Sequence, residues 1–393
     1  MSRIIIFTGK GGVGKSSIAA AHAVKSAQRG YRTLIVSTDM AHNLSDIFNV
    51  KLGTDPAEVI PDRLDALEID PNYEMSMHYN SIGEAIKKMI PSGINGNADI
   101  IDEMTVIPGM DELFSLIRIQ SIYESGKYDN IIVDCAPTGE TLALLKFPEL
   151  LSWYMEKLFP FGKLAMKVLR PVSKTLFKIE MPDKKAMNDI EKLYVNLNSL
   201  QNLLRDRGVC SIRIVAMPEK MVVEESKRSY MYLNLYNFNV DGVYINRVLP
   251  EDAGEFFSQW KETQKKHISE LEAAFANLPV TRVKWYQTDV NGLDGVKRIA
   301  DDSLDAEDLF DVKISIGNEI FEKTETGYSL RLYLPFADKS NLDMFETGTD
   351  LIIKSANFKR CVPLPNILIN SSVTGAKFEN DFLKITFERR QAV

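Results

Sequence analysis

The segment Gly9-Lys10-Gly11-Gly12-Val13-Gly14-Lys15-Ser16-Ser17 constrains this chain more than any other. It follows the apolar run Arg3-Ile4-Ile5-Ile6-Phe7 and precedes Ile18-Ala19-Ala20-Ala21-His22-Ala23-Val24, so it reads as a buried strand, a glycine-rich turn and a helix. The glycines lack the Cβ atoms that would block a close wrap, and successive backbone N–H groups can converge on a phosphate at the helix N-terminus. Within the pattern G-x-x-x-x-G-K-[ST], Lys15 is placed to reach the β- and γ-phosphates and Ser16 to offer a hydroxyl to Mg²⁺. A turn that only joined strand to helix would need no Lys-Ser pair at this offset, so ATP and Mg²⁺ are the expected ligands. Lys10 adds a second ammonium beside the first glycine. It cannot easily share one nucleotide with Lys15, which points to phosphates held by another subunit.

A chain of 393 residues has room for about two domains. Apolar runs at Ile4–Thr8, Thr33–Ser37, Asn130–Cys135, Ile212–Met217 and Gly242–Asn246 alternate with helical patterns, as in a mostly parallel α/β sheet with crossover helices. Residues 72–125 and 148–205 are helical in pattern, rich in methionine and too long for simple crossovers, and they predict a helical subdomain. After the acidic stretch Asp301–Asp308 the period changes: Tyr328–Leu334, Asp350–Ser355 and Phe382–Phe387 alternate between turn residues. The fold class expected is therefore a P-loop NTPase domain over 1–308 followed by an all-β sandwich over 309–393.

The net charge of −7 gives no reason to expect nucleic acid as a partner. Cys135, Cys210 and Cys361 are odd in number and far apart, with no disulfide framework or C-x-x-C pair, which suits a reducing compartment. The phosphate loop begins nine residues from the first methionine, leaving no space for a leader, and no apolar run reaches membrane-spanning length. A cytoplasmic protein is expected.

Three further segments carry chemistry. Asp39 follows the second strand in Ser37-Thr38-Asp39-Met40-Ala41-His42-Asn43-Leu44-Ser45-Asp46, where a carboxylate can orient the water that attacks the γ-phosphate or can cap a helix. Asp46 reads as a capping or Mg²⁺-network residue. Asp134 closes a strand and opens Asp134-Cys135-Ala136-Pro137-Thr138-Gly139-Glu140, a position suited to holding Mg²⁺ through water. In the same segment Pro137 and Gly139 are candidate nucleotide contacts, and the Gly139 N–H is free to sense the γ-phosphate. Asn246 ends a strand with donor and acceptor together, as adenine recognition or a turn would use.

Taken together, K-G-G-V-G-K-S at 10–16, S-T-D-x-A-H-N-L-S-D at 37–46, P-G-M-D-E at 108–112, D-x-A-P-T-G at 134–139 and I-N-R at 245–247 resemble the arsenite-pump and tail-anchored-protein-targeting ATPases. The resemblance spans most of the first 300 residues. It implies a nucleotide-gated homodimer in which Lys10 reaches the partner's nucleotide, Asp39 positions the attacking water, residues 39–46 and 134–141 are switches, and Asn246 contacts adenine. Departures stand at Met40, Glu140 and the cysteine-free stretch Gly254–Lys266, where targeting members hold zinc. No zinc is expected. Residues 309–393 resemble the α-crystallin domain of small heat-shock proteins.

The stretch Leu151–Glu180 mixes Trp153, Tyr154, Phe159, Phe161 and Met166 with six cations against Glu156 and Glu180. A basic amphipathic face of this kind fits an apolar helix or an anionic membrane surface, and core packing explains many of the same residues. The expected activity is Mg²⁺-dependent ATP hydrolysis that gates a groove for a hydrophobic protein or lipophilic ligand, with peripheral membrane contact as a further partner. The alternatives are an ATPase subunit for arsenite or other anion export, and an ATP-switched holdase with little turnover.

Overall fold

Eight strands form one sheet in the computed structural model, which describes residues 2–39, 43–78, 110–135, 184–313, 319–324, 327–347, 350–355, 358–364, 368 and 371–389. They are β1 (Arg3–Thr8), β2 (Thr33–Ser37), β3 (Ala57–Ile60), β4 (Leu64–Glu68), β5 (Asn130–Asp134), β6 (Cys210–Ala216), β7 (Val240–Val248) and β8 (Val280–Lys284), in the order β3-β4-β2-β5-β1-β6-β7-β8. Every pair is parallel except β3 with β4. The central strands β1, β2, β5 and β6 are buried along their whole length. This is why each reads as a nearly unbroken apolar run and not as an alternation.

Helices α1 (Lys15–Gln28), α2 (Asn43–Phe48), α3 (Pro71–His78), α4 (Met110–Glu124), α5 (Lys184–Arg205), α6 (Lys220–Leu235), α7 (Ser258–Ala274) and α8 (Gly292–Ser303) connect or cover the strands. Helix α1 buries Ile18, Ala19, Ala20, Ala21, Ala23, Val24 and Ala27, with small side chains on several sides. Such a helix can lie close to the sheet and still be covered by another. Helices α4 and α5 fall inside the two expected helical stretches, and α3 begins one residue before the first. The rest of those stretches, with the basic face at 151–180, lies outside the described residues.

The carboxyl ends of the parallel strands define one rim. Register places Phe7, Ser37 and Asp134 side by side on β1, β2 and β5, so the loops leaving these strands converge, as in other open sheets that bind ligand beyond their carboxyl ends. Beyond Lys313 come two antiparallel sheets, β14-β15-β10-β9 and β11-β12-β13. Their strands are β9 (Glu319–Lys323), β10 (Tyr328–Tyr333), β11 (Leu342–Glu346), β12 (Asp350–Ser355), β13 (Phe358–Pro363), β14 (Ser371–Glu379) and β15 (Phe382–Arg389). Leu330, Leu332, Leu351, Ile353, Leu383, Ile385 and Phe387 are buried in alternation, the pattern of a sheet with one face on the core.

The junction between the two parts is held by polar groups inside the α/β domain. Arg3 donates to the carbonyls of Phe310 (2.5 Å) and Asp311 (2.7 Å), and Arg213 donates to the carbonyl of Leu309 (2.6 Å). Both guanidiniums share Asp241, at 3.5 Å from Arg3 and 3.0 Å from Arg213. Leu309 and Phe310 are themselves buried, so the strip after the acidic stretch packs as part of the first domain.

Behind this cluster His22 of α1 is fully enclosed. Its Nδ1 lies 2.7 Å from the Ile18 carbonyl and its Nε2 lies 2.9 Å from the Tyr244 hydroxyl. A carbonyl can only accept, so Nδ1 carries the proton and Nε2 accepts from Tyr244. Burial, reinforced by nearby Arg213, holds the His22 pKa well below its ordinary value. The unfolded chain takes up this proton near about pH 6.5 and the folded chain does not. His22 therefore contributes a loss of about 1.4 kcal/mol of stability for each pH unit below about 6.5. Urea unfolding of wild type and His22→Gln at pH 7, 6 and 5 should show a difference that shifts against the wild type as pH falls, and a constant difference would count against a neutral buried imidazole.

Candidate nucleotide site

The phosphate loop leaves β1 and enters α1 in the strained course that its glycines permit. A Cβ on Gly9 would lie 2.2 Å from the Val215 carbonyl oxygen of β6, and one on Gly14, at φ 89°, would lie 2.3 Å from Asn246 Nδ2. At both positions only glycine fits. Val13 is fully buried and anchors the loop, while Gly11 and Gly12 at its crest are exposed. Lys15 is 7% exposed at the start of α1.

Asp134 is the electrostatic centre of the rim. It is 1% exposed, and one of its oxygens, Oδ2, has no hydrogen-bond partner. Burial pushes its pKa up to about 6, against the pull of the Ser16 hydroxyl bonded to it and of Lys15, and with a further upward push from Asp39. An orphaned buried carboxylate oxygen beside a serine hydroxyl has the chemistry of a Mg²⁺ site, which takes one or two protein oxygens and fills its remaining positions with water and phosphate. Among the described residues, no group of three or more His, Cys, Asp or Glu is arranged to hold a metal ion.

Asp39 is half-buried just beyond β2, where its backbone N–H donates to Ser37 Oγ at 3.2 Å. Asp46 is exposed on α2. Its neighbour Ser45 makes the fixed contacts there, donating from N–H (2.9 Å) and Oγ (2.7 Å) to the buried Glu68 at the end of β4. Glu68 is a residue the sequence reading passed over, because β4 reads as Leu-Asp-Ala-Leu-Glu with no strong strand signal. Lys10 is partly exposed and pairs with Glu225 of α6 at 3.7 Å. Pro137 and Gly139 lie outside the described residues, as do Met40, Ala41 and His42.

On the other side of α1 a cavity of about 520 Å³ opens against Gly14, Ser17, Asn246, Arg247, Trp285 and Val290. This volume falls in the range of small-ligand sites. Asn246 sits at its base, donating from Nδ2 to the Val13 carbonyl (2.8 Å) and accepting at Oδ1 from the Arg247 N–H (2.9 Å). It thereby braces the loop it borders. The wall at Trp285–Asn291, between β8 and α8, carries no motif by which sequence reading could have found it.

A profile of the anion-transporting ATPase family matches residues 2–305, well over half of the chain. The chain belongs to the ArsA family of ATPases. The HSP20-like domain found in ArsA matches residues 325–387, which covers β10 to β14 and most of β15. The chain is 36% identical over 98% of its length to a protein of Prosthecochloris vibrioformis provisionally named an arsenical pump-driving ATPase, 96% of which is covered. A similarly named protein of Aquifex aeolicus is 33% identical, with 98% of this chain and 99% of the relative aligned. ATPase ASNA1 homolog 1 of Paramecium tetraurelia is 30% identical over 76% of this chain and 91% of its own length. Membership of an ATPase family implies that the chain binds a nucleotide, and the glycine-rich loop between β1 and α1 is the candidate site.

Proposed function

We propose that the chain is a Mg²⁺-dependent homodimeric ATPase whose nucleotide state governs the handling of a hydrophobic protein or lipophilic client. The observation that carries the ATP chemistry is the buried, half-satisfied Asp134 against Ser16 and Lys15 at the end of the phosphate loop. Mg²⁺ bound at Ser16 and Asp134, with Asp39 near it, would neutralise charge between the β- and γ-phosphates. The chain's own groups do the positioning. Backbone N–H groups of Gly11 to Ser17 and the Lys15 ammonium hold the phosphates, and Asp39 orients the attacking water by accepting one of its hydrogens. Asn246 and the Trp285–Asn291 wall receive the base.

The dimer is supported by Lys10, whose ammonium is held by a breakable, partly exposed ion pair, and by an apolar patch next to the nucleotide cavity. Phe256 is 86% exposed, Met221 71% and Trp260 56%. A second cavity of about 280 Å³ lies beside them, lined by Met217, Leu249, Phe257, Trp260 and Trp285. Exposed aromatics in one cluster mark a contact surface. The HSP20-like sandwich supports the client reading. Against anion export stand the cysteines: Cys135 and Cys210 are buried in the sheet, and burial pushes the Cys210 thiol up to about 12, which disfavours the thiolate a soft metalloid would need.

ATP turnover per chain should rise with protein concentration in the range where the dimer forms. Lys10→Ala should lower it by at least about tenfold while the circular dichroism spectrum is retained, since one charge-stabilising donor contributes on the order of 10²-fold. Full activity in Lys10→Ala would remove the argument for a lysine acting across subunits.

A further inference from the structure

Helix α6 touches the nucleotide site at one end and the C-terminal sandwich at the other. It begins just after β6, the strand whose Val215 carbonyl packs on Gly9, and its Glu225 pairs with Lys10 at 3.7 Å. Its 16 residues span about 24 Å. At the far end the Leu235 carbonyl accepts from the buried Arg360 of β13, which also pairs with Glu319 of β9. The Tyr236 hydroxyl donates to the Lys359 carbonyl at 3.0 Å. Between these ends Tyr230 lies edge-on to Tyr333 of β10, with ring centroids 6.4 Å apart. The helix stops firmly, with Asn237 at φ 64° and the Phe238 N–H returning to the Leu233 carbonyl at 3.0 Å, a cap that joins its last turn to the segment facing the sandwich.

We propose that α6 is the coupling element between the phosphate loop and the HSP20-like sandwich. Glu225 retains Lys10 while no phosphate competes for it. When Lys10 turns to a phosphate, the Lys10–Glu225 pair is broken, and α6 settles differently against the loop and against Leu235–Tyr236. This rests on the reading of Lys10 as a phosphate ligand. The two contacts differ in strength in the sense such a device needs. The Lys10–Glu225 pair is about 30% exposed on both sides, weak enough for a phosphate to break. The sandwich contact uses a buried guanidinium on a helix-end carbonyl, where a small shift of the helix changes a desolvated hydrogen bond. By linkage, whatever the phosphate does to the junction, the junction does to nucleotide affinity by the same factor.

Hydrogen exchange of the full chain, alone and with Mg²⁺ and a non-hydrolysable ATP analogue, tests this. The analogue should protect the amides of Gly11–Ser17 and alter exchange in the Leu233–Asn239 and Phe358–Pro363 segments about two- to fivefold, the size expected when one exposed ion pair is exchanged. Glu225→Gln without nucleotide should shift the same two segments in the same direction, whereas Glu224→Gln, one position away and exposed, should not. Tyr236→Phe, which removes the hydroxyl that donates to the Lys359 carbonyl, should change affinity for the analogue about two- to fivefold by the same reciprocity. Protection of the loop with both junction segments unchanged would overturn the coupling and leave the ATPase reading standing. Junction changes that Glu225→Gln fails to reproduce would overturn the role of α6. Absence of loop protection would overturn the nucleotide reading itself.

Discussion

The substitution Asp134→Asn is expected to make the nucleotide-free protein more stable and, on the proposed function, to abolish Mg²⁺-dependent ATP turnover. The buried carboxylate has its pKa pushed up to about 6, chiefly by burial, against about 3.9 for an exposed aspartate. The folded state thus carries a charge at pH 7 that the unfolded state carries more easily, a cost of about 3 kcal/mol. The sign with pH follows: the cost is full above about 6, and it is relieved as pH falls from about 6 to about 4 and the folded form binds its proton first. The amide removes the charge and keeps the shape, so the gain should be largest at pH 7 and vanish near pH 4. A rise of several degrees in the unfolding midpoint, on the order of 5 °C, corresponds to this energy. Calorimetry of the nucleotide-free protein at both pH values checks it. A midpoint lowered at pH 7 would mean that the carboxylate is held by partners strong enough to make it stabilising. ATP turnover with and without Mg²⁺ reads the second half, because a metal site with one carboxylate loses its anchor when the charge goes.

A second large effect is expected at Asp241. Its side chain is completely enclosed between the guanidiniums of Arg3 and Arg213, which also hold the carbonyls of Leu309, Phe310 and Asp311. Asp241→Ala would leave two buried cations facing each other with no counter-charge. Breaking a buried ion cluster from one side costs about 3–5 kcal/mol, a large part of the stability of an ordinary domain. The variant should therefore unfold at much lower urea, and the linker strip at 309–311 should become accessible to protease. The triple replacement Arg3→Met, Arg213→Met and Asp241→Leu removes all three charges together but leaves the Leu309, Phe310 and Asp311 carbonyls without their donors, so it should recover only part of the loss. If Asp241→Ala unfolds within about 1 kcal/mol of wild type, the cluster is not desolvated as its burial indicates.

The strip after Asp308 bears on where the ATPase part can be cut. A chain ending at Asp308 would lack the carbonyl acceptors of Arg3 and Arg213 and the buried side chains of Leu309 and Phe310. One ending at Lys313 would keep them, together with the bond from Asn239 to the Lys313 carbonyl (2.9 Å).

Much of the architecture could be read directly from the chain. The strands of the sheet centre were legible as apolar runs because both of their faces are covered, and the sandwich strands β10, β12 and β15 were legible as alternations because one face is. The short outer strands β3, β4 and β8 were not, since Ala57–Ile60 and Val280–Lys284 are only partly buried and Leu64–Glu68 is interrupted by a half-exposed Asp65. For the candidate site, the spacing of Gly9, Gly14, Lys15 and Ser16 pointed to a phosphate, because a phosphate cradle of this kind is built from consecutive residues whose backbone makes the shape. Local chemistry of that kind needs no knowledge of the rest of the chain.

Other features required the chain to close on itself. Glu68 became an anchor for Ser45 only when β4 aligned with β2. Asn246 met Val13 across 233 residues, and the wall at Trp285–Asn291 became part of a cavity only when β8 packed beside β7. Arg3, Arg213 and Asp241 look in sequence like charged residues misplaced in apolar strands. Their pairing exists because β1, β6 and β7 are neighbours in the sheet. The sequence alone determined the glycine-rich turn between β1 and α1, the parallel sheet around it and the change to an antiparallel domain, since each depends on residues close together in the chain. Tertiary structure alone decided which buried charge would meet which partner, because a charge removed from water is tolerated only where folding delivers its counter-ion or carbonyl, and that is a property of three-dimensional neighbours.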